Sequence, residues 1–228
     1  MKYQIILTII SSMLFSGCVY YPQLSDIPLI TEKNDVSIDA GASMASFTAN
    51  LTATYGVTDK IAVQAYGQFN LFGGYCFHGA VGRYHKFMNN TVVELYGGAG
   101  YGWGRDSFYR DDYYSAYMNG HNKTLFAQLN YGYVGKEKFE IGAALKSGVT
   151  RFDGWGNGYY FGEMNGEKTP YLIDNYFFEP QAFMRFGAER LRLTLKAGLF
   201  YHSSFGIHQV DYIRFNPVNL GVSLNYRF

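Results

Sequence analysis

Few residues in this sequence are placed to do chemistry. The one arrangement of a catalytic kind is His202, Ser203 and Ser204, in which an imidazole lies near hydroxyls that it could activate as nucleophiles. No Gly-rich phosphate loop, no Cys/His cluster with metal-ligand spacing and no Gly-x-Ser-x-Gly motif occurs in the 228 residues. We therefore predict no metal site and no cofactor, and the chemistry of a soluble enzyme has little support.

A second set of polar groups consists of charged residues at alternate positions of segments that are otherwise apolar. If these segments are the strands of a small barrel, the charges point inward, where the space is barely wider than the side chains. Buried charges need partners, so we expect a plugged, ion-paired interior. A selectivity filter or a catalytic acid/base set is the functional alternative. The residues are Asp39, Glu94, Glu140, Glu179, Lys146, Arg185, Arg192, Lys196 and Arg227.

The segments that carry these charges repeat with a period of two. Residues 218–228 place six apolar side chains on one face, ending in Tyr226 and Phe228, and Asn, Gly, Ser and Arg on the other. This alternation is typical of a membrane strand with one lipid-facing and one lumen-facing side, whereas a helix repeats every 3.6 residues. The same period occurs near residues 35–45, 47–57, 60–70, 75–87, 91–104, 123–134, 138–151, 176–187, 190–202 and 216–228.

The pattern predicts an all-β fold, a transmembrane antiparallel up-and-down barrel of about ten strands. If the first two strands are one bent strand, the alternative is an eight-stranded barrel. Short turns alternate with long loops at 105–122, 152–175 and 203–215, as in barrels with short periplasmic turns and longer outer loops.

Two local features depart from this pattern. Pro180 predicts a bulge in its strand. Arg83 and His85 fall on the lipid-facing parity, which predicts a slip in register or an interfacial strand end.

The two longest predicted loops are rich in aromatic residues. Such rings could stack on glycans or anchor a partner protein. They are equally expected in an aromatic girdle or in loops that pack on themselves. The residues are Tyr109, Tyr113, Tyr114, Tyr117, Trp155, Tyr159, Tyr160 and Tyr171.

Composition limits the classes of partner and the way in which the chain can cross a membrane. The formal net charge of +1 makes nucleic acid an unexpected partner. A helical membrane protein needs runs of about 18 apolar residues, and none occurs after residue 18. A chain that crosses a bilayer without such runs does so in strands.

The first residues have the layout of an export signal. Lys2 precedes an apolar run over residues 5–15, and Ser16-Gly17 precede Cys18. The small residues before Cys18 resemble the lipobox of bacterial lipoproteins, which implies acylation of this cysteine; a plain signal peptide cut near Gly17 is the alternative. We assign residues 1–17 to a cleaved signal, 18–34 to a periplasmic lead segment and 35–228 to the barrel. No acidic run follows Cys18, so we expect its lipid anchor on the periplasmic side.

Two further motifs resemble those of small outer-membrane β-barrel lipoproteins of Gram-negative bacteria. Residues 27–33 (IPLITEK) resemble the lead into the first strand of such proteins, and residues 53–59 (ATYGVTD) with 61–63 (IAV) resemble their early meander. The terminal Tyr226 and Phe228 resemble the signal that the barrel insertion machinery reads. The resemblance implies an outer-membrane location, with membrane lipid, that machinery and other outer-membrane proteins as partners, and it implies no particular activity.

The region around His202 also resembles the outer-membrane lipid A deacylases, over about 25 residues. That resemblance implies a base at His202, a nucleophile at Ser204 and an orienting acid at Asp211. The sequence departs from the family at Phe205, where an Asn usually follows the Ser, and strand parity turns both side chains inward, away from lipid. We therefore predict a non-enzymatic barrel that serves as a structural or interaction component, such as an accessory subunit of a larger complex. A deacylase-like hydrolase and a narrow pore are the alternatives.

Overall fold

The computed structural model of the protein describes residue 24 and the ranges 27–43, 48–70, 73–111, 114–135, 139–160, 163–164, 169–188, 190–205 and 218–228. No helix in these ranges is long and apolar enough to cross a membrane. The regular elements are the strands β1 (Val36–Ser43), β2 (Thr48–Gly56), β3 (Ile61–Asn70), β4 (Gly74–Lys86), β5 (Thr91–Asp111), β6 (Tyr114–Val134), β7 (Phe139–Tyr160), β8 (Glu163–Met164), β9 (Thr169–Gly187), β10 (Leu191–Leu199), β11 (Tyr201–Phe205) and β12 (Val218–Arg227).

The strands form a closed antiparallel barrel, because β1 pairs with both β2 and β12. Ten strands span the barrel: β10 and β11 continue one another beside β9, and β8 is a two-residue addition to β7. The predicted ten-stranded meander is thus confirmed. The eight-stranded alternative is wrong, because β1 and β2 are separate strands that pair from Val36↔Tyr55 to Ser43↔Thr48.

The two faces of the barrel wall differ as the alternation predicts. In β12 the apolar Leu220, Val222 and Leu224 are exposed on the outside, and Asn219, Ser223 and Asn225 are buried inside. Exposed aromatic side chains form two girdles about ten residues apart along the strands, a distance of about 25 Å for tilted strands and the usual height of a membrane band. One girdle contains Tyr55, Tyr131, Tyr133, Phe139, Phe186 and Phe228, and the other contains Phe69, Phe77, Tyr101, Tyr176, Phe178 and Tyr201.

The two ends of the barrel are unlike. At one end, here the short-turn end, turns such as those at residues 57–60 and 87–90 join the strands, and both β1 and β12 have their terminal ends there. At the other end, here the long-strand end, β5, β6, β7 and β9 continue well past their neighbours. The strand β4 pairs with β5 only as far as Gly74↔Gly104, whereas β5 and β6 remain paired to Asp111↔Tyr114. These four strands form a tall wall on one side of the rim.

The tall wall overturns the predicted long loops at 105–122 and 152–175, most of which lie in paired strands. The predicted loop at 203–215 begins within β11, and residues 206–217 lie outside the described ranges. The extensions are hard to recognise in the sequence, because strands that rise beyond a bilayer need no apolar outer face. Their alternation is therefore weaker than that of the spanning segments.

Two local predictions have different outcomes. At Pro180 the expected bulge is wrong, since Leu145 pairs with it without a register shift. Instead, the pairing of β9 with β10 stops at Gly198↔Gln181 and resumes in β11 at Tyr201↔Phe178, a gap beside a proline that has no N–H to donate. Arg83 and His85 lie exposed on the outer face without a slip in register, near the end of β4 at the short-turn end. The expectation of an interfacial strand end fits this placement.

Most of the described part of the lead segment lies inside the barrel. Leu24, Ile27, Leu29 and Ile30 are all buried, and Ile30 packs in one cluster with Tyr96 and other inward side chains of the wall. The predicted periplasmic lead covers residues 18–34, and its described residues 32–34 are exposed beside the short-turn end. Four large apolar side chains in so short a segment stabilise the fold when they leave water.

Candidate functional site in the barrel interior

A cluster of charges around Glu140 occupies the interior at the short-turn end. Glu140, on β7, lies opposite Arg185 of β9 in register, and its carboxylate accepts a hydrogen bond of 2.6 Å from that guanidinium. Arg192 of β10 donates to the other carboxylate oxygen, and Arg227 of β12 lies 3.2 Å from the same atom. Three consecutive strands around the wall thus direct one arginine each at a single fully buried carboxylate.

The lead segment is bonded to this cluster through its backbone. Arg185 donates a hydrogen bond of 3.1 Å to the carbonyl oxygen of Ile27, and Arg227 donates one of 2.8 Å to that of Leu29. On the opposite side of the lumen, the Ile30 N–H donates to the Glu94 carboxylate at 2.7 Å. These bonds satisfy polar backbone groups that would otherwise be buried without partners. The segment is therefore held as a plug by the wall.

Asp35 joins the plug to the first strand and forms an ion pair that the sequence analysis missed. Its carboxylate accepts hydrogen bonds from the Arg227 guanidinium, at 2.8 Å for Nε, and from the Thr31 N–H at 2.9 Å. Burial alone would raise the pKa of this carboxyl group, but the hydrogen bonds and the charge of Arg227 outweigh burial and hold the pKa below its ordinary value. Asp35 was overlooked because it lies just before β1, where no alternation marks its direction.

A second ion pair lies further up the lumen. The Lys196 ammonium of β10 lies 2.6 Å from the Asp39 carboxylate of β1, which also accepts a hydrogen bond of 2.8 Å from the Ser223 hydroxyl of β12. Both charged side chains are buried. This arrangement bridges three strands across the junction at which the barrel closes.

The third group of charges surrounds Lys146. In register this residue of β7 lies opposite Glu179 of β9. Its ammonium forms a hydrogen bond of 3.1 Å with Nδ1 of His78 and lies 4.3 Å from the centre of the Phe126 ring, a cation–π contact. His78 was not among the predicted interior residues, although its position on the inward parity of β4, between Cys76 and Ala80, was a usable signal.

The structure places all nine predicted interior charges on the inner face. Eight of these side chains are buried, and Arg227 is half-buried. The predicted residues that form ion pairs with one another are Asp39, Glu140, Arg185, Arg192, Lys196 and Arg227. Opposite charges at this spacing neutralise the interior, and removal of one member leaves its partner buried and uncompensated. The arrangement can hold the lead segment and close the lumen at the short-turn end.

The candidate catalytic residues do not form a cluster within the described residues, unlike the charges of the interior. His202 is half-buried on the inward parity of β11 and stacks on Phe200, with ring centres 5.9 Å apart. The backbone of Ser204 belongs to the same strand, whereas Asp211 and Cys18 lie outside the described residues. Among the described residues, no group of three or more His, Cys, Asp or Glu side chains could hold a metal ion.

The predicted aromatic loop residues lie in the tall wall rather than in loops. Tyr109 belongs to β5, Tyr114 and Tyr117 to β6, Trp155, Tyr159 and Tyr160 to β7, and Tyr171 to β9. Tyr113 lies outside the described residues. On the outer face of the wall, Arg151 and Asp174 form an ion pair with two hydrogen bonds of 2.7 and 2.8 Å.

Comparison with known proteins gives a likeness of fold and nothing finer. No family model matches the sequence, and no curated protein matches it. Among solved structures, a KdgM porin has a TM-score of 0.42 at 9% identity, with 85% of this chain and 99% of that chain covered. The KdgM porin in complex with disordered oligogalacturonate has a TM-score of 0.41, also at 9% identity, and covers 85% of this chain and 99% of its own.

A third structure is OmpT, an outer membrane protein of Vibrio cholerae, with a TM-score of 0.19 at 9% identity over 85% of this chain and 95% of that chain. At this level of similarity the three structures indicate nothing about ligand or activity. The class to which this chain belongs is that of closed up-and-down barrels with an apolar outer band, and this follows from its own strands.

Proposed function

We propose that the protein is a closed, non-enzymatic barrel of the outer membrane that acts as a structural or interaction component. The observation that carries this proposal is the lead segment inside the lumen, bonded at Ile27, Leu29 and Ile30 to Arg185, Arg227 and Glu94. A barrel of this size has room for little more than its own side chains. With a backbone segment and paired charges inside it, the short-turn end offers ions no continuous aqueous path.

The location in the outer membrane is supported by the outer surface. An apolar band about 25 Å high between two aromatic girdles matches the bilayer core for a barrel of this type. In such barrels the short turns face the periplasm and the longer elements face outward. The tall wall formed by β5, β6, β7 and β9 would then stand on the outer side of the membrane, with side chains such as Leu172 exposed there.

Acylation of Cys18 is part of this proposal. Its support is the sequence alone, in which small residues precede the cysteine after an apolar run. Cells grown with a radiolabelled fatty acid should incorporate the label into the wild-type chain and not into the Cys18→Ala variant. Equal label in both chains, or none in the wild type, would remove the lipid anchor from the proposal while leaving the barrel intact.

Conductance in planar bilayers tests the closed lumen. We expect the purified mature protein to give no stable, ion-selective steps under conditions in which an open porin conducts. As a reference, a variant that lacks residues 19–30 but keeps the barrel should conduct, since its interior has lost the bonded backbone. Steady conductance of the wild-type protein equal to that of the deletion variant would support a narrow pore and overturn the closed barrel.

The interaction role needs a separate test on the tall wall. A photo-crosslinking residue at Leu172, which is exposed on β9 above the membrane band, should form protein adducts in living cells. The matched control is the same group at Leu195, which is exposed within the lipid-facing band of β10. Adducts at Leu195 but none at Leu172 would argue against a partner at the wall.

A further inference from the structure

The lipid-facing wall of β4, β5 and β6 contains a patch of small residues. Gly97 pairs with Val81 on one side and with Ala127 on the other. Gly79 and Ala99 form the next lipid-facing pair of the same strands. A Cβ added at Gly79 or at Gly97 would meet no atom within 4 Å. The outer surface is therefore lower here than where the strands carry large apolar side chains.

This low part of the wall forms a groove of about 500 Å³. The large apolar residues Ile61 and Leu95 line it together with the small residues Gly97 and Ala127, and Arg83 lines it on the side of the short-turn end. Contact within a bilayer depends on van der Waals packing, and small residues permit close approach. The groove is thus shaped for an acyl chain and carries a cation at one side.

Arg83 has no counter-charge on the surrounding wall. In register it lies between Ile61 and Leu95, which are both apolar and exposed. Across the described ranges its guanidinium forms no ion pair. A charge on the lipid-facing side of a barrel is costly at the middle of the bilayer and tolerated only near an interface. A counter-charge for Arg83 therefore has to come from outside these ranges.

The strand register places Arg83 close to the depth of lipid headgroups. His85, two residues further along β4, pairs with Val93, which pairs with Tyr131 of the girdle at the short-turn end. Such a girdle marks the boundary between acyl chains and headgroups. Arg83 lies on the membrane side of this line by about 7 Å along the strand. A long arginine side chain can span that distance to a headgroup while its stem stays among acyl chains.

We propose that this groove binds one anionic glycerophospholipid, with an acyl chain over Gly97 and Ala127 and the phosphate at Arg83. The guanidinium presents a planar fork of N–H donors that matches two oxygens of a phosphate. The proposal rests on the proposed outer-membrane location, in which the short turns face the periplasm. The lipid then belongs to the periplasmic leaflet.

The charges around Arg83 favour an anionic headgroup over a zwitterionic one. Lys60 and Lys86 are exposed at the same edge of the barrel, and Asp59 is the acid next to them. Lys60 lies directly beside β4, because its carbonyl oxygen accepts a hydrogen bond of 3.0 Å from the Tyr84 N–H. An ethanolamine headgroup would bring its own ammonium to this cationic edge, whereas a glycerol headgroup would not.

A second groove on the barrel provides an internal control, because it has no lipid-facing charge. Its volume is about 820 Å³, and its lining includes Ala143, Ala182 and Ala197, which are aligned across β7, β9 and β10. Lys196 also borders it, but this side chain is buried and paired with Asp39 inside the barrel. Acyl chains should therefore pack in the second groove without selection of a headgroup.

Native mass spectrometry of the purified mature protein tests the site. The protein would be released from detergent micelles that contain equal amounts of phosphatidylglycerol and phosphatidylethanolamine with the same acyl chains. We expect the wild type to retain one phosphatidylglycerol about fivefold more often than phosphatidylethanolamine, the ratio that one unit charge supports near a membrane surface. Arg83→Gln should bring this ratio close to one. Gly97→Phe, which fills the groove, should abolish the selective retention.

Two matched variants control for charge and for bulk. Arg151→Gln removes an exposed cation from the tall wall, and Ala182→Phe fills the second groove. Both should keep the wild-type ratio. If Arg151→Gln lowers the ratio as much as Arg83→Gln does, selection follows the net charge of the protein and the inference is overturned. Equal loss in Ala182→Phe and Gly97→Phe overturns the assignment to this groove.

Fractionation of the same cells on a sucrose gradient separates this inference from the proposed function. A wild-type chain that lies in the outer-membrane fraction but retains both lipids equally, or keeps its ratio in Arg83→Gln, overturns the inference alone. A wild-type chain that is missing from the outer-membrane fraction overturns the proposed location, and the assignment of the lipid to the periplasmic leaflet fails with it.

Discussion

The guanidinium of Arg185 holds the carbonyl oxygen of Ile27 at 3.1 Å across the interior of the barrel. The same guanidinium donates to Glu140, so that one side chain connects the wall of the barrel to the segment that fills it. A backbone carbonyl in a lumen without water needs a hydrogen-bond donor from the protein. Arg185 therefore stabilises the plug and neutralises a buried carboxylate at once.

Loss of Arg185 should destabilise the barrel markedly. In Arg185→Met, Glu140 keeps Arg192 and Arg227, but one buried charge-assisted hydrogen bond and the bond to Ile27 are lost. We expect the free energy of unfolding to fall by about 2 to 4 kcal/mol, within the range for such buried groups. Urea unfolding of the protein in detergent micelles, followed by circular dichroism, measures the change.

The matched control for this substitution is Arg151→Met. Arg151 also pairs with a carboxylate through two hydrogen bonds, but it lies on the exposed face of the tall wall, where water and salt screen the pair. This variant should unfold almost as the wild type does. Equal falls in the free energy of unfolding of both variants would mean that the buried Glu140 cluster stabilises the fold no more than an exposed ion pair does.

The contact between Gly132 and Leu29 should be sensitive to a single methyl group. A Cβ at Gly132 would lie 2.6 Å from Leu29 Cδ1 and 3.0 Å from the Ile141 carbonyl oxygen, so Gly132→Ala must displace the plug or strain the wall. Overpacking of this kind costs about 1 to 3 kcal/mol. We expect lower stability in urea and intermittent conductance steps in planar bilayers.

At Gly97 the same substitution serves as the control. A Cβ at Gly97 would meet no atom within 4 Å, and this residue lies on the neighbouring strand β5. Gly97→Ala should leave both stability and conductance unchanged. A silent Gly132→Ala variant would show that the lumen has more free space around Leu29 than the contacts imply.

Acid should weaken the attachment of the plug at Asp35. In the folded chain the pKa of this carboxyl group lies below its ordinary value of 3.8, because Arg227 outweighs the opposing effect of burial. A depressed pKa stabilises the fold fully above the unfolded value, and that contribution is lost as the pH falls through the folded value. Between about pH 5 and pH 2 the wild type should therefore lose more stability than Asp35→Asn.

This comparison isolates Asp35 from the other acids of the interior, which both proteins retain. Urea unfolding at a series of pH values gives the difference between the two free energies of unfolding. If the two curves stay parallel down to pH 2, the pairing of Asp35 with Arg227 does not stabilise the fold.

Removal of the His202 and Ser204 side chains should leave membrane lipid unchanged. The inward placement of His202 beside Phe200 turns the imidazole away from acyl chains. Cells that express the wild type, Ser204→Ala or His202→Ala should therefore show the same lipid A acyl pattern in mass spectra as cells without the protein. Deacylated lipid A that appears with the wild type and disappears with Ser204→Ala would establish the hydrolase instead.

The spanning strands were predictable because the bilayer imposes a strict rule on them. Every residue of β12 that faces lipid must be apolar, and its neighbours face a polar interior, so the period of two is visible in the letters alone. Above the bilayer this rule no longer holds. The extensions of β5 and β7 resemble loops in the sequence, since nothing requires residues 105–111 or 152–160 to alternate as strictly.

The composition of the interior was predictable, and its connections were not. Parity alone directs Glu140 and Arg185 inward, but their pairing depends on the register between β7 and β9. The plug was missed for a different reason. Its apolar residues, Ile27, Leu29 and Ile30, show neither a strand nor a helix period, so their burial becomes visible only once the barrel exists to receive them.

The junction between β1 and β12 turns an open ribbon into a ring. Its pairing covers only Ser37 to Ser43, whereas β5 and β6 are paired from Thr91 to Asp111, so the ring is closed by one of its shortest joints. Side chains reinforce this joint, with Asn225 donating to Ser37 at 2.9 Å and Ser223 to Asp39 at 2.8 Å. Under a pulling force along its circumference, the ring should part here first.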